Sequence, residues 1–220
     1  MVIWSLFDGS GIMGQPWAEA GHDVYCFNAG QGNHGEYHIK MQHENLHYVN
    51  CWISENFPCK PELTGIPKPK MIFAFPDCTD LAVSGAKHDG HTSLDSVRHA
   101  QMVEKMAEEF GAAWMVENPV GKMSTYWRKP DHYFHPFEYG GYTTGKEERF
   151  HPRMPPRDAY TKKTCIWSGN GFVMPAPKPV EHIGKFWGWA YLGGKSAKTK
   201  QLRSLTPRGF ARAVYEANHA

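Results

Sequence analysis

The sequence predicts an α/β fold built on a doubly wound, mostly parallel sheet. Three observations lead there. A short apolar run at the N-terminus meets a glycine-rich turn and then a helical stretch; apolar runs and helical patterns alternate as far as about residue 120; and the run Met71 to Phe75 is stopped by Pro76. Short apolar runs suit strands buried on both faces, and their alternation with helical patterns gives crossover units of a parallel sheet.

Each element has its own signal. Val2-Ile3-Trp4-Ser5-Leu6-Phe7 reads as a buried strand, and Gly9, Gly11 and Gly14 allow a tight turn before a helix through Trp17-Ala18-Glu19-Ala20. Such a unit lets backbone N–H groups approach a ligand closely. A second strand is expected over Asp23 to Asn28, and a third short strand or turn within Asn45 to Ile53, after a polar, His-rich stretch. Met71 to Phe75 is the next strand. Ser93 to Phe110 has a helical pattern, with Leu94, Val97, Met102, Met106 and Phe110 roughly on one face, and Ala112 to Val116 is a strand ending at Glu117. Beyond Gly121 the periodicity fades. Thr161 to Trp167 reads as a strand, Gly169 to Pro179 as a loop, and Gly193 to Arg203 as a glycine-led basic loop. Thr206 is placed to cap a final helix with Pro207 at its first position, running through Tyr215.

Composition bounds the classes available. A chain of 220 residues, 41% hydrophobic and 21% charged, suits one folded domain and is neither disordered nor low in complexity. No basic-then-apolar leader precedes Asp8, and no apolar stretch approaches a membrane span, so a soluble, cytoplasmic monomer without membrane attachment is expected. Five cysteines with no close Cys-x-x-Cys pair suit a reduced compartment. Thirteen histidines lack finger-like pairing with cysteine, so no metal site is expected. The net charge of +2 conceals an asymmetry: residues 1–140 carry 10 Lys and Arg against 17 Asp and Glu, residues 141–220 carry 14 against 5. The basic stretch interleaves Trp167, Phe172, Phe186, Trp187, Trp189 and Tyr191, a composition that suits phosphates and unpaired bases as well as it suits a solvated face.

Cys78 and Glu117 carry the chemical reading. Pro76 stops the strand, so Cys78 is expected on the loop at the carboxyl end of a parallel sheet, where open α/β folds place their ligands. Glu117 should follow one crossover later, just past its own strand. The turn-forming flanks Pro76, Asp77, Thr79 and Asp80 argue against a buried packing role for the thiol, which makes Cys78 a candidate nucleophile. A carboxylate beside it at Asp77 would raise the thiol pKa unless that side chain is paired or points away.

Taken in order, these segments resemble the DNA cytosine C5-methyltransferase family, especially its short, phage-type members. Phe7-Asp8-Gly9-Ser10-Gly11 is similar to the family's cofactor turn, Phe75-Pro76-Asp77-Cys78 to its nucleophile loop and Glu117-Asn118-Pro119 to its Glu-Asn-Val/Pro motif. Thr161 to Trp167 and Arg203 to Ala211 resemble late segments of the short members. The resemblance implies a Rossmann-like S-adenosylmethionine (SAM)-dependent methyltransferase fold. It divides the chain into a catalytic core over 1–139, a reduced target-recognition region over 140–203 and a C-terminal helix over 204–220 returning to the core.

The implied reaction transfers a methyl group from SAM to carbon 5 of cytosine in DNA. Cys78 would add to carbon 6 and Glu117 would hold the N3 edge. Phe7, Asp8, Gly9, Gly11, Asn28 and Pro76 would serve the cofactor. Asn118, Lys162, Lys163 and Arg203 would serve the substrate or DNA. Two departures stand out. Asn28 occupies the end of the second strand, where the family carries an acid for the ribose hydroxyls, so a modified SAM is an alternative donor. Asp77 stands where proline is usual. The same chemistry on a free cytosine nucleotide, and an inactive nucleic-acid-binding relative, are the competing readings.

Overall fold

The computed structural model describes residues 1–31, 35–57, 60, 63–79, 94–194 and 196–220. Strand β1 (Val2–Leu6) is third in a seven-stranded sheet, with β2 (Asp23–Asn28), β3 (Leu46–Asn50), β4 (Met71–Ala74), β5 (Ala113–Pro119), β6 (His132–Phe134) and β7 (Thr164–Gly169) in the order β3-β2-β1-β4-β5-β7-β6. The first five pair in parallel, and β7 is antiparallel to both β5 and β6. This order, with its reversal between β1 and β4, is that of a Rossmann-like methyltransferase fold, and the reversal is the switch point where such sheets open a ligand crevice.

Side chains alternate between two cores because successive strand residues face opposite ways. Ile3, Phe73, Met115 and Ile166 join one cluster; Trp4, Ile72, Trp114 and Trp167 join the other. Helices α1 (Gln15–Glu19) and α6 (Arg208–Asn218) cover the first face, where Phe134 stacks on Phe210 with centroids 4.0 Å apart and Trp17 meets Tyr215 edge-on. Helix α2 (Asp95–Phe110) covers the second face through Val97, Ala100, Val103, Met106 and Ala107. There, beside short α3 (Met123–Tyr126), Trp127 stacks between Trp114 and Trp167, and Arg128 lies over Trp114 and Trp127 while pairing with Asp131 at 2.9 Å. Among the described residues no helix is long and apolar enough to cross a membrane.

Several expected boundaries move. Glu117 and Asn118 lie inside β5, not beyond it, because antiparallel β7 supplies partners (Glu117 opposite Ile166, Asn118 opposite Cys165) past the point where β4 ends. The third strand settles at Leu46–Asn50, and the strand expected over Thr161 to Trp167 shifts to Thr164–Gly169. Ser93, at the expected start of α2, lies outside the described residues, as do Asp80, Leu81, Gly32 and Lys195. Leu94 is 37% exposed, and the buried stripe of α2 runs through the small residues Ala100 and Ala107 rather than Phe110.

The basic stretch before Ser204 is a helix, α5 (Ala197–Ser204), because the Ser196 side chain caps it by accepting from the Thr199 N–H at 3.2 Å. The last helix starts one residue later than expected: Pro207 itself is the extended N-cap, and Thr206 precedes it. Short α4 (Trp187–Tyr191) has no forerunner in the sequence pattern. The 140–203 stretch contributes β7 to the sheet, so the basic region grows directly out of the core.

Phe210→Ala should remove the ring that joins α6 to Phe134 and Tyr139, at a cost of about 3–5 kcal/mol. Urea unfolding should show this as a lower midpoint with an unchanged slope.

Candidate functional site

The centre of the site is the exit from β4. Ala74 pairs with Val116, so Cys78, four residues beyond Ala74, and Glu117, one beyond Val116, emerge from neighbouring strands. Two contacts, one buried and one partly buried, hold the loop that carries the thiol. The Asn118 side-chain amide donates to the Pro76 carbonyl at 2.9 Å, and the Ser96 hydroxyl on the first turn of α2 donates to the Asp77 carbonyl. The Asp77 carboxylate accepts from the Thr79 N–H and hydroxyl at 2.9 and 2.6 Å, which makes a local turn just past the thiol.

Electrostatics tie a third residue to this pair. Burial pushes the Cys78 thiol up to about 11; the Lys162 ammonium pulls it back down, and Asp77 and Glu117 push it further up. Burial likewise raises Glu117, with Lys162 opposing. Lys162 therefore reaches the charge environment of both groups, and favours thiolate at one and carboxylate at the other. Its ammonium donates to the Arg203 carbonyl at 2.9 Å and lies 4.9 Å from the centre of the Phe186 ring. Lys163 faces away, over Tyr133 at 4.5 Å, as alternation along an extended chain requires. Arg203 is exposed and its guanidinium donates to the Leu192 carbonyl.

One strand over lies the glycine turn. The buried Asp8 carboxylate accepts from the Ser5 hydroxyl, the Ser10 N–H and hydroxyl and the Gly11 N–H, at 2.8–3.0 Å. Its side chain builds the turn, a structural task the sequence did not reveal. Gly11 is left-handed at φ +72, so a side chain would be strained there. A Cβ on Gly9 would stand 2.1 Å from the ring of Tyr37. Phe7 is also left-handed, at φ 58, uncommon for a bulky residue, and its ring packs 4.8 Å from that of His99 on α2. At the next strand ends, Asn50 accepts from the Gly30 N–H at 2.9 Å, while the Asn28 amide makes only a long 3.5 Å contact to the Ala29 carbonyl. Amides at these ends can donate and accept, so the donor set fits the hydroxyls of a nucleoside such as that of SAM.

The structure thus gathers Cys78, Glu117, Asn118, Pro76 and Lys162 in one cluster, with Asp8, Gly9, Gly11 and Asn28 beside it, and leaves Lys163 apart. Sequence reasoning missed Tyr37. Its hydroxyl bonds Ser204 on α5 at 3.0 Å, its phenol is pushed up to about 12 chiefly by burial, and the charges of Asp8, Asp77 and Cys78 all reach it. Gln201 holds the same segment through the Glu36 carbonyl and His38 N–H. The one available signal was an aromatic residue in an otherwise polar stretch.

No protein-family model matches the chain, and no curated protein matches it. Among solved structures it is similar to an E. coli prophage protein provisionally assigned as a DNA modification methyltransferase, with 14% identity and a TM-score of 0.42 over 77% of this chain. This chain spans 46% of that structure. The strand order, not that likeness, identifies the fold.

Alkylation of Cys78 by iodoacetamide, followed by mass spectrometry of its peptide across pH, tests the charge arrangement. Lys162→Met removes a charge that favours the thiolate, so the midpoint should move to higher pH and the rate at pH 8 should fall about three- to tenfold. Asp77→Asn should move the midpoint to lower pH and raise that rate.

Proposed function

We propose that this protein is a DNA cytosine C5-methyltransferase in which Cys78 is the nucleophile and SAM the donor. The observation that carries the reading is the shared cluster: a thiol and a carboxyl from adjacent parallel strands, both raised by burial, with one ammonium reaching both. Gly9, Gly11 and Asn28, with Phe7 at the end of β1, are the residues that would hold SAM. When bound, SAM supplies an electrophilic methyl group.

The chain's own work is on the cytosine ring. Carbon 5 is a poor nucleophile until carbon 6 is attacked. At rest the thiol at about 11 is protonated, so attack requires loss of its proton, which the Lys162 charge assists. The thiolate adds to carbon 6, the electron pair moves into the ring, and Glu117 delivers a proton to N3, which leaves a neutral enamine with carbon 5 nucleophilic. Burial shifts Glu117 toward the protonated form that this task uses, with the Lys162 charge opposing. After carbon 5 has gained its substituent, loss of its proton re-forms the ring double bond and expels the thiolate, and Glu117 recovers the N3 proton. Asn118 acts through the Pro76 carbonyl and positions the loop that carries the thiol.

Carbon 6 is out of reach inside a duplex, so the cytosine must be extruded or unpaired. The basic C-terminal stretch, with 14 Lys and Arg against 5 Asp and Glu beyond residue 140, favours a polymer over a free nucleotide.

Incubation with methyl-tritiated SAM and unmethylated duplex or single-stranded DNA, followed by nuclease digestion, should place label in 5-methylcytosine. Cys78→Ala should abolish it, and Glu117→Gln should slow it a hundredfold or more. Label on an exocyclic nitrogen, or equal transfer by Cys78→Ala, would exclude the proposed mechanism.

A further inference from the structure

Helix α4 presents two large aromatic side chains to solvent. Trp189 is 59% and Tyr191 55% exposed, although their neighbours Phe186 and Trp187 are buried. The exposure follows from how the helix is anchored. The backbone before it pairs with the segment leading to Lys162, through Thr161 N–H to Gly184 O and Phe186 N–H to Thr161 O. Phe186 packs on Tyr160, and Trp187 stacks on His151 with centroids 4.8 Å apart. With these rings turned inward on a helix of five residues, Trp189 and Tyr191 face outward.

The surroundings are cationic. The Arg153 guanidinium lies 4.8 Å over the Tyr191 ring, and Arg203 bonds the Leu192 carbonyl at the end of α4. Residues 182–215 contain seven Lys and Arg and no Asp or Glu. The surface also adjoins the reaction centre. Lys162, which shifts Cys78 and Glu117, lies against Phe186, and Phe186 meets Trp189 edge-on at 5.7 Å. Exposed rings flanked by guanidinium and ammonium groups suit stacking of unpaired bases with neutralisation of their phosphates.

We propose that Trp189 and Tyr191, with Arg153, form a stacking platform for unpaired nucleotides that flank the base delivered to Cys78. The ligand class is single-stranded or locally opened DNA. The inference rests on the proposed function for its direction, since that reading requires an unpaired base at Cys78, but its test does not require catalysis.

The test uses the full chain and a fluorescein-labelled thymidine-only strand, which offers no cytosine to the thiol. Anisotropy titrations at fixed moderate salt compare it with a duplex of equal length. The strand should bind more tightly than the duplex. Trp189→Leu should weaken strand binding about five- to a hundredfold, Tyr191→Leu should act in the same direction, and Trp189→Phe, which keeps a ring, should retain most of the affinity.

The proposal is overturned if the Trp189→Leu/Tyr191→Leu double variant binds the strand as the parent does, or if Trp189→Phe loses as much as Trp189→Leu. It is equally overturned if vesicles containing phosphatidylserine, rather than the strand, are the ligand whose binding the variants weaken. Strand binding that depends on these rings, in a protein that transfers no methyl group, would remove the proposed reaction and leave the platform standing.

Discussion

The hydrogen bond from the Asn118 amide to the Pro76 carbonyl is the constraint on which the site depends. It joins the end of β5 to the loop leaving β4, across the parallel pairing that already aligns Ala74 with Val116. Pro76 fixes its own φ and has no N–H to give, so its carbonyl is the group by which that point of the loop can be held. Asn118 is 1% exposed, and a buried amide bond of this kind is costly to break because both partners would lose water as well as each other. The antiparallel pairing of Asn118 with Cys165 on β7 keeps the amide in register. Thiol and carboxyl are therefore placed by sheet geometry and one side-chain bond rather than by loop conformation alone.

Burial sets the electrostatic character of the pair. It pushes Cys78 and Glu117 in the same direction, toward their neutral forms, and each charge would disfavour the other. Lys162 opposes both effects from a backbone entering β7. A surface ion pair such as Arg98 with Asp95 is largely screened by water and contributes little. The Lys162 charge acts where water is partly excluded, so its influence on two protonation states is larger than its distance from bulk solvent alone would suggest. Asp77 acts in the other sense even though its carboxylate is engaged with Thr79, because a hydrogen bond redirects a charge without removing it.

Much of this was legible in the sequence, for identifiable reasons. Strands β1, β2, β4 and β5 are buried on both faces and announce themselves as apolar runs, and Pro76 marks where the fourth ends. Cys78 and Glu117 are thus paired by the sequence alone. Lys162 could be named but not located, because its approach to Cys78 depends on β7 folding back antiparallel beside β5, a non-local event with no periodic signature. Lys163 was grouped with it by adjacency, and the strand alternation separates them. Helix α5 reads as a loop in the sequence because Gly193 and Gly194 dominate the stretch before it, while the Ser196 cap that begins it is a single hydroxyl. Asp8 looked like a ligand contact by position, yet four hydrogen bonds commit it to building the turn.

Helix α5 also shows how the separate parts are mechanically related. Its Ser204 and Gln201 hold the segment whose Tyr37 ring rests on Gly9, so one side of the helix braces the glycine turn. Its Arg203 receives the Lys162 ammonium on its carbonyl and sends its guanidinium to the end of α4, so the other side braces the cluster around Cys78 and the aromatic surface beyond it. A short helix with a single side-chain cap at its start is an element of modest intrinsic stability, and its position here derives from these tertiary contacts. Tyr37 and Lys162 thus both bond to the last turn of α5, at Ser204 and Arg203. The turn that follows β1 and the charge that opposes the effect of burial at Cys78 are bridged by that contiguous path, although β1 and β7, the strands next to them in the chain, are separated in the sheet by β4 and β5.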